Sequence, residues 1–166
     1  YSGLDADSIL EDKFNFLQKN LRIISGFYGL IRPFDKILPY RLEMGTKLLN
    51  SRGKNLYEFW GDNITNLLNN DIEDENSYVI NLASNEYFKS IKKKKLKNEI
   101  ITPIFKEFKN GTYKTIAIYA KKARGLMSRF IIDNKIQKPE NLKAFNLERY
   151  SFDNKLSDDF NYVFTR

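Results

Sequence analysis

The 166-residue sequence contains no cysteine and no histidine. The chain therefore has no disulfide, no thiolate zinc site, no haem ligation through histidine, and no catalytic arrangement that needs Cys–His or Ser–His–Asp. No apolar run approaches the roughly 20 residues of a membrane span. We also find no signal peptide, so we expect a soluble cytoplasmic protein. The chain begins at Tyr1 and not at Met, and we interpret it as part of a longer protein.

Aromatic and basic residues are abundant. Aromatic residues make up 14% and hydrophobic residues 42% of the chain, enough for a core within one compact domain over residues 1–166. The formal net charge is +7, and residues 81–129 alone carry a net +10. Charge concentrated in this way favours a polyanionic partner. Because the single tryptophan, Trp60, lies outside that stretch, we favour nucleic acid over a membrane.

Periodicity and turn residues predict an α+β chain. The elements we expect are a helix that begins at Ser8 and ends at Ser25–Gly26, a short helix over 33–38, a strand over 40–44, a helix over 54–69, a strand over 78–83, a helix capped by Ser84, a hairpin of 100–108 with 113–119, a helix over 120–134 and a last strand over 160–164. Pro103 places the first hairpin strand at a sheet edge.

The segment 8–38 resembles a helix–hairpin–helix DNA-binding element. In that interpretation Gly26 and Gly29 let the backbone approach a phosphate and offer amides to it, while Arg32 adds a positive charge. The usual hairpin has one apolar residue between its glycines, whereas two separate them here. The alternative is a helix C-cap glycine followed by a turn.

The helix over 120–134 has one apolar and one basic side. The basic side, which we expect to contact phosphates, holds Lys121, Lys122, Arg124 and Arg129. Gly125 lies near the middle of this side, which indicates close approach by a phosphate backbone or by another protein element. The alternative is a solvated basic face.

The lysine run 92–95 is the strongest local concentration of charge. Lys92 and Lys93 are candidate phosphate contacts that add affinity without specificity. Because the chain has 20 lysines and only 8 arginines, the run is equally compatible with a solvated surface.

Acidic residues offer an enzymatic alternative. Glu43 and Glu86 are candidate acid/base groups, with Arg41 and Lys47 as further polar residues of a pocket. The structural alternatives are an ion pair between Arg41 and Glu43 and simple helix capping around Glu86. The sequence shows no metal-ligand set, and we predict no metal and no cofactor.

Five ordered blocks carry a family resemblance. They are residues 21–33, 39–48, 56–60, 81–89 and 119–127, and the two chain ends agree with them. Together they resemble the C-terminal two-thirds of the YaaA peroxide stress protein family. The resemblance implies a mixed α/β fold that lacks some N-terminal strands here.

The functional hypotheses follow from that resemblance. It implies a cytoplasmic role in the peroxide response, with binding of duplex or structured DNA through a basic cleft and a helix–hairpin–helix element, and protection of DNA from iron-driven damage. The alternatives are an enzyme that acts on nucleotides or nucleic acid, and a structural fragment that binds only through a missing segment or a partner. The sequence does not give the oligomeric state.

Overall fold

A computed structural model describes residues 2–166 of the chain. The described helices are α1 (Phe14–Asn20), α2 (Leu56–Trp60), α3 (Asn63–Asp71), α4 (Asn85–Phe88) and α5 (Ala117–Asp133). The described strands are β1 (Ile23–Ser25), β2 (Gly29–Ile31), β3 (Tyr78–Ile80), β4 (Glu99–Lys109), β5 (Thr112–Lys114), β6 (Ser151–Phe152) and β7 (Asn161–Thr165). Short 3-10 turns lie at 6–8, 11–13, 93–95, 139–144 and 147–149. The predicted α+β class is confirmed.

The chain forms two compact units, and each is described by itself. The first unit contains residues 2–16, 78–82 and 100–166, and the second contains residues 17–77 and 83–99.

The first unit is a mixed sheet packed with α5. The strand order is β3-β4-β7-β6, with β5 paired to β4. Strands β4 and β7 are parallel, whereas β6 is antiparallel to β7 and β5 to β4. Nine buried side chains form the core of this unit: Ile101, Phe105, Ala123, Met127, Leu142, Phe145, Tyr150, Tyr162 and Phe164. This core holds the apolar side of α5 and so turns its basic side outward.

The expectation that Pro103 marks an edge strand is wrong. Strand β4 lies between β3 and β7, and Pro103 is in register with Tyr162 of β7. The neighbouring amide of Thr102 donates to the Phe160 carbonyl at 2.8 Å. Because successive amides of a strand point to opposite sides, β7 requires no donor from the proline.

The second unit contains the β1–β2 hairpin, α2, α3 and α4. The predicted helix over 54–69 is present as α2 and α3, with a break at Gly61, whose φ is 51°. The Ser84 cap of α4 is confirmed, since its hydroxyl accepts from the Tyr87 amide. The strand expected over 40–44 is not formed, and those residues have no regular secondary structure.

Candidate nucleic-acid interface

Helix α5 carries the basic residues that the sequence singled out. Its apolar side is anchored by Ala123 and by Met127, which is fully buried. Lys121 and Lys122 are exposed on the opposite side, whereas Arg124 is half-buried. The predicted division of this helix into an apolar and a basic side is therefore present.

Gly125 is explained by a protein contact. A Cβ built on Gly125 would stand 2.9 Å from the backbone of Gly3 and of Leu4. Of the two explanations that the sequence left open, the structure supports the second, a protein element that approaches the helix. The N-terminal segment occupies the space that a side chain at position 125 would need.

Arg129 is a structural residue in this arrangement. Its guanidinium donates to the Asp5 carbonyl at 3.1 Å, to the Ser8 hydroxyl at 2.6 Å and to the Ser8 carbonyl at 3.2 Å. It also pairs with Asp133 at 2.8 Å. The predicted phosphate contact at Arg129 is therefore not supported, because its donors already hold residues 5–8 against α5.

Lys122 is engaged by Glu148. Its Nζ lies 2.8 Å from the Glu148 carboxylate, and this hydrogen bond lowers the pKa of Glu148. Glu148 has the left-handed backbone conformation, with φ at 53°, and also contacts Arg166 at 3.4 Å. Both partners of the Lys122 pair are substantially exposed, so solvent weakens it.

Lys121 and Arg124 are the two cations of this set that keep their charge unpaired within residues 2–166. Burial lowers the pKa of Arg124, and the described residues give its guanidinium no carboxylate. The two residues are three positions apart, which places their Cβ atoms about 5–6 Å from each other on the helix surface. Lys121 and Arg124 stay predictions as phosphate contacts.

The helix–hairpin–helix prediction is wrong. Helix α1 ends at Asn20, and residues 23–31 form an antiparallel β-hairpin in which Ser25 pairs with Gly29. Residues 33–38 contain no helix. The helix start expected at Ser8 is also absent, because Ser8 ends a 3-10 turn and its hydroxyl bonds to Asp5. Local propensity favoured helices here, and tertiary contacts of the turn override it.

The two glycines of that turn face protein. A Cβ on Gly26 would stand 2.5 Å from the Leu42 carbonyl oxygen, and one on Gly29 would stand 2.9 Å from the Trp60 ring. The Trp60 indole also donates to the Gly26 carbonyl at 3.0 Å. Both glycines are buried, so their predicted role in binding a phosphate is not supported.

Arg32 is paired. Its guanidinium lies 2.9 Å from Asp71, which also accepts from Arg22 at 2.5 Å. Burial by itself raises the pKa of Asp71, but the hydrogen bonds from Arg32 and Arg22 outweigh it and lower the pKa. The structure therefore assigns Arg32 to an ion-pair cluster of the second unit.

The lysine run lies on the surface of the second unit. Lys93 is placed over the Phe88 ring at 5.4 Å, and Lys95 pairs with Asp62 at 2.5 Å. The Lys92 amide donates to Thr65 at 2.8 Å, which fixes its backbone, while the side chain forms no ion pair among the described residues. Lys92 and Lys93 stay predictions as phosphate contacts.

Glu43 and Glu86 are brought close to one side chain, Tyr87. Burial, then Glu86, and more weakly Tyr40 and Glu43 raise the pKa of Tyr87. Glu86 accepts from the Gly45 amide at 2.7 Å, which gives it a structural task, whereas Glu43 is exposed. Arg41 and Lys47 are exposed as well, and the ion pair considered between Arg41 and Glu43 is not formed.

Sequence reasoning missed a polar cluster in the first unit. Arg166 pairs with Glu107 at 2.7 Å, and its guanidinium lies 4.6 Å from the centroid of the Tyr150 ring. The Tyr150 hydroxyl donates to Glu107, and burial together with this bond raises the Tyr150 pKa. Glu107 and Arg166 are 59 positions apart, so no local pattern announces their pairing.

Two features that point to other classes of function are absent from residues 2–166. No described helix is both long enough and apolar enough to cross a membrane. The same residues contain no group of three or more acidic side chains placed to hold a metal ion.

The comparisons with known proteins agree with the resemblance. The family model described as "Peroxide stress protein YaaA" matches residues 1–156. The chain belongs to this family. Two curated relatives, both called UPF0246 protein, come from Aliivibrio fischeri strains MJ11 and ATCC 700601 / ES114. Each is 57% identical over 167 residues, covering 100% of this chain and 64% of the relative.

The match to the YaaA family model includes every block that carries the resemblance. All five blocks fall inside the matched residues, and so does the unpaired pair Lys121 and Arg124. The chain spans 64% of the length of the curated YaaA-family relatives it matches. The description of the family model gives peroxide stress as the functional context of the family.

Proposed function

We propose that this chain serves the peroxide response in the cytoplasm by binding the phosphate backbone of duplex or structured DNA and limiting iron-driven damage to it. The observation that carries the proposal is the half-buried, unpaired guanidinium of Arg124 beside the exposed, unpaired Lys121. The segment in which both lie has a strongly positive charge.

Arg124 has no counter-ion among the described residues. A cation partly removed from water costs free energy unless an anion compensates it. No carboxylate of residues 2–166 does so for Arg124. The planar guanidinium fork matches the oxygens of a phosphate group, and a neighbouring lysine adds attraction at the same place.

Lys122 contributes to the same surface in a weaker way. Its partner Glu148 is exposed, so a phosphate is able to compete for the lysine. Contacts of this kind position a protein on DNA and carry little sequence information. We therefore expect binding that depends on salt and on DNA shape more than on base sequence.

Fluorescence anisotropy with a plain duplex at several salt concentrations tests this proposal. Replacing Lys121 and Arg124 together with alanine removes two phosphate contacts, so the slope of log K against log salt should fall by about 1.8. The matched control is Lys138→Ala, which removes an exposed lysine without an ion pair from the same unit. Unchanged affinity and slope in the double variant would refute the assignment.

A second candidate function is an enzyme that acts on nucleotides or nucleic acid at Glu43. It is favoured by the convergence of Glu43, Glu86 and Tyr40 on Tyr87. Glu43 is the carboxylate of this group available for acid/base chemistry, because Glu86 already accepts from Gly45. Turnover of nucleotides or DNA by the wild type and its loss in Glu43→Gln would support this function, and absence of turnover in the wild type would refute it.

A further inference from the structure

The hairpin turn between β1 and β2 displays aromatic rings to solvent. Ser25 is only 1% exposed, and its hydroxyl accepts from the amides of Phe27 at 3.2 Å and Tyr28 at 2.9 Å. These bonds close the turn around a buried hydroxyl. Phe27, at the tip, is nevertheless 56% exposed.

Three rings meet at this place. Phe27 and Tyr28 have centroids 4.9 Å apart, and each has its centroid 5.5 Å from that of Tyr40. Tyr40 is itself 39% exposed. We call Phe27, Tyr28 and Tyr40 the aromatic platform.

Hydrogen bonds hold the platform in position. The Tyr40 hydroxyl lies 2.5 Å from the same Ser25 hydroxyl that closes the turn. The Tyr28 hydroxyl accepts from the Leu38 amide at 3.0 Å. Residues 25–28 and 38–40 are thereby fixed to one set of rings, and the platform loses little conformational freedom when something binds to it.

The turn also has a rigid support. Trp60 donates to the Gly26 carbonyl, and its ring packs so closely on Gly29 that a Cβ there would stand 2.9 Å away. The Gly29 φ of 78° is a conformation that glycine adopts without strain. The exposed rings are therefore supported from below by a side chain that fixes the turn.

One exposed cation adjoins the platform. Arg41 directly follows Tyr40 in the chain, is exposed and forms no ion pair among the described residues. Exposed π-faces next to an unpaired cation match a nucleic acid strand, which offers both bases to stack and phosphates to attract.

We propose that the aromatic platform stacks on an unpaired nucleobase of single-stranded or locally opened nucleic acid. The proposal rests on the proposed function and names the feature of DNA that the second unit engages. Every base has a π-face, so the contact tolerates sequence, whereas a fully paired duplex hides that face. Phe27 is the stacking residue, and Tyr28 and Tyr40 position it.

The test compares a short single-stranded DNA that carries one 2-aminopurine with a plain duplex. The wild type should quench the 2-aminopurine on binding, because stacking quenches its emission. Phe27→Ala should weaken single-strand binding about tenfold and abolish the quench, while duplex affinity stays unchanged. Phe27→Trp should retain the single-strand affinity and the quench. Phe27→Leu should lose the quench because leucine has no π-face.

Phe160→Ala is the matched control. Phe160 is 48% exposed in the first unit, and it has no aromatic neighbour among the described residues. This variant should bind both probes as the wild type does. Circular dichroism of each variant establishes that it is folded before its affinity is compared.

The outcomes separate this inference from the proposed function. Wild-type quench and affinity in Phe27→Ala would overturn the inference alone, provided that duplex binding still depends on Lys121 and Arg124. An equal loss of single-strand and duplex binding in Phe27→Ala would also overturn it, because paired bases offer no exposed face. A wild type that binds neither probe would refute the proposed function itself.

Discussion

The two halves of α5 differ in what their arginines do. Arg129, in the second half, donates hydrogen bonds to Asp5, Ser8 and Asp133. Arg124, one and a half turns earlier, is half-buried and has no counter-ion among the described residues. In the sequence the two residues were equivalent members of one basic side. The comparison teaches that the availability of a charge is decided by its partners, which for Arg129 include Asp5 and Ser8 near the opposite end of the chain.

The largest expected effect is on stability at Arg129. Arg129→Ala removes three hydrogen bonds to residues 5–8 and the ion pair with Asp133, so unfolding should cost about 2–3 kcal/mol less. Urea unfolding followed by circular dichroism measures the change. Lys138→Ala, the control, should stay within about 0.5 kcal/mol of the wild type. An equally small change in the free energy of unfolding for Arg129→Ala would contradict the structural role assigned to Arg129.

Gly125→Ala probes the contact between α5 and the N-terminal segment. Alanine has the higher helix propensity, by about 1 kcal/mol, but its Cβ would press on the backbone of Gly3 and Leu4. We expect a net loss of about 1–2 kcal/mol in the free energy of unfolding, since overpacking exceeds the gain in propensity. Ser128→Ala on the same helix should be neutral or slightly stabilising. A more stable Gly125→Ala would show that the N-terminal segment does not pack there.

Asp71 extends the comparison to paired arginines of the second unit. Its pKa is lowered in the folded protein, so its contribution to stability is present above the unfolded pKa of about 3.9 and is lost as the pH falls through the folded value. Asp71→Asn should therefore be about 1 kcal/mol less stable than the wild type at neutral pH. That difference should shrink below about pH 4, as measured by urea unfolding across pH. A difference independent of pH would contradict the assigned ion pairs.

The smallest expected effect concerns Lys122. Glu148→Gln removes the carboxylate that holds its ammonium, which should raise duplex affinity about two- to threefold at low salt. Anisotropy titration measures this change. Glu140→Gln, which removes an acid without an ion pair in the same unit, gives the effect of net charge alone. Equal gains in duplex affinity for the two variants would show that the ion pair between Lys122 and Glu148 does not limit DNA binding.

The elements with a strong period were predictable, because their own residues determine them. Helix α5 and the Ser84 cap of α4 follow from amphipathic spacing and side-chain capping. The β1–β2 hairpin was not predictable, because Trp60, more than thirty residues later, fixes its turn. Pro103 was misassigned because a proline is tolerated inside a sheet where the neighbouring strand needs no amide hydrogen from it. Which strand each amide of β4 faces depends on the register of the sheet, and the sequence does not show that register.

The candidate site was predictable in part for the same reason. The basic side of α5 could be read from one helical segment, and it is present. Which of its cations lack a partner could not be read from the sequence, because Arg129 bonds to Asp5 and Ser8, more than 120 positions away. Tyr40 likewise reaches the hairpin turn through Ser25, 15 positions before it.

The most direct test of the account measures duplex affinity and unfolding free energy for Arg124→Ala and Arg129→Ala side by side. Arg124→Ala should lose affinity with stability unchanged or improved, because the half-buried charge it removes has no counter-ion. Arg129→Ala should lose stability while its folded form binds DNA as the wild type does. Equal affinity losses in the two folded variants, or unchanged affinity in Arg124→Ala, would contradict the claim that the unpaired cations of α5 bind DNA.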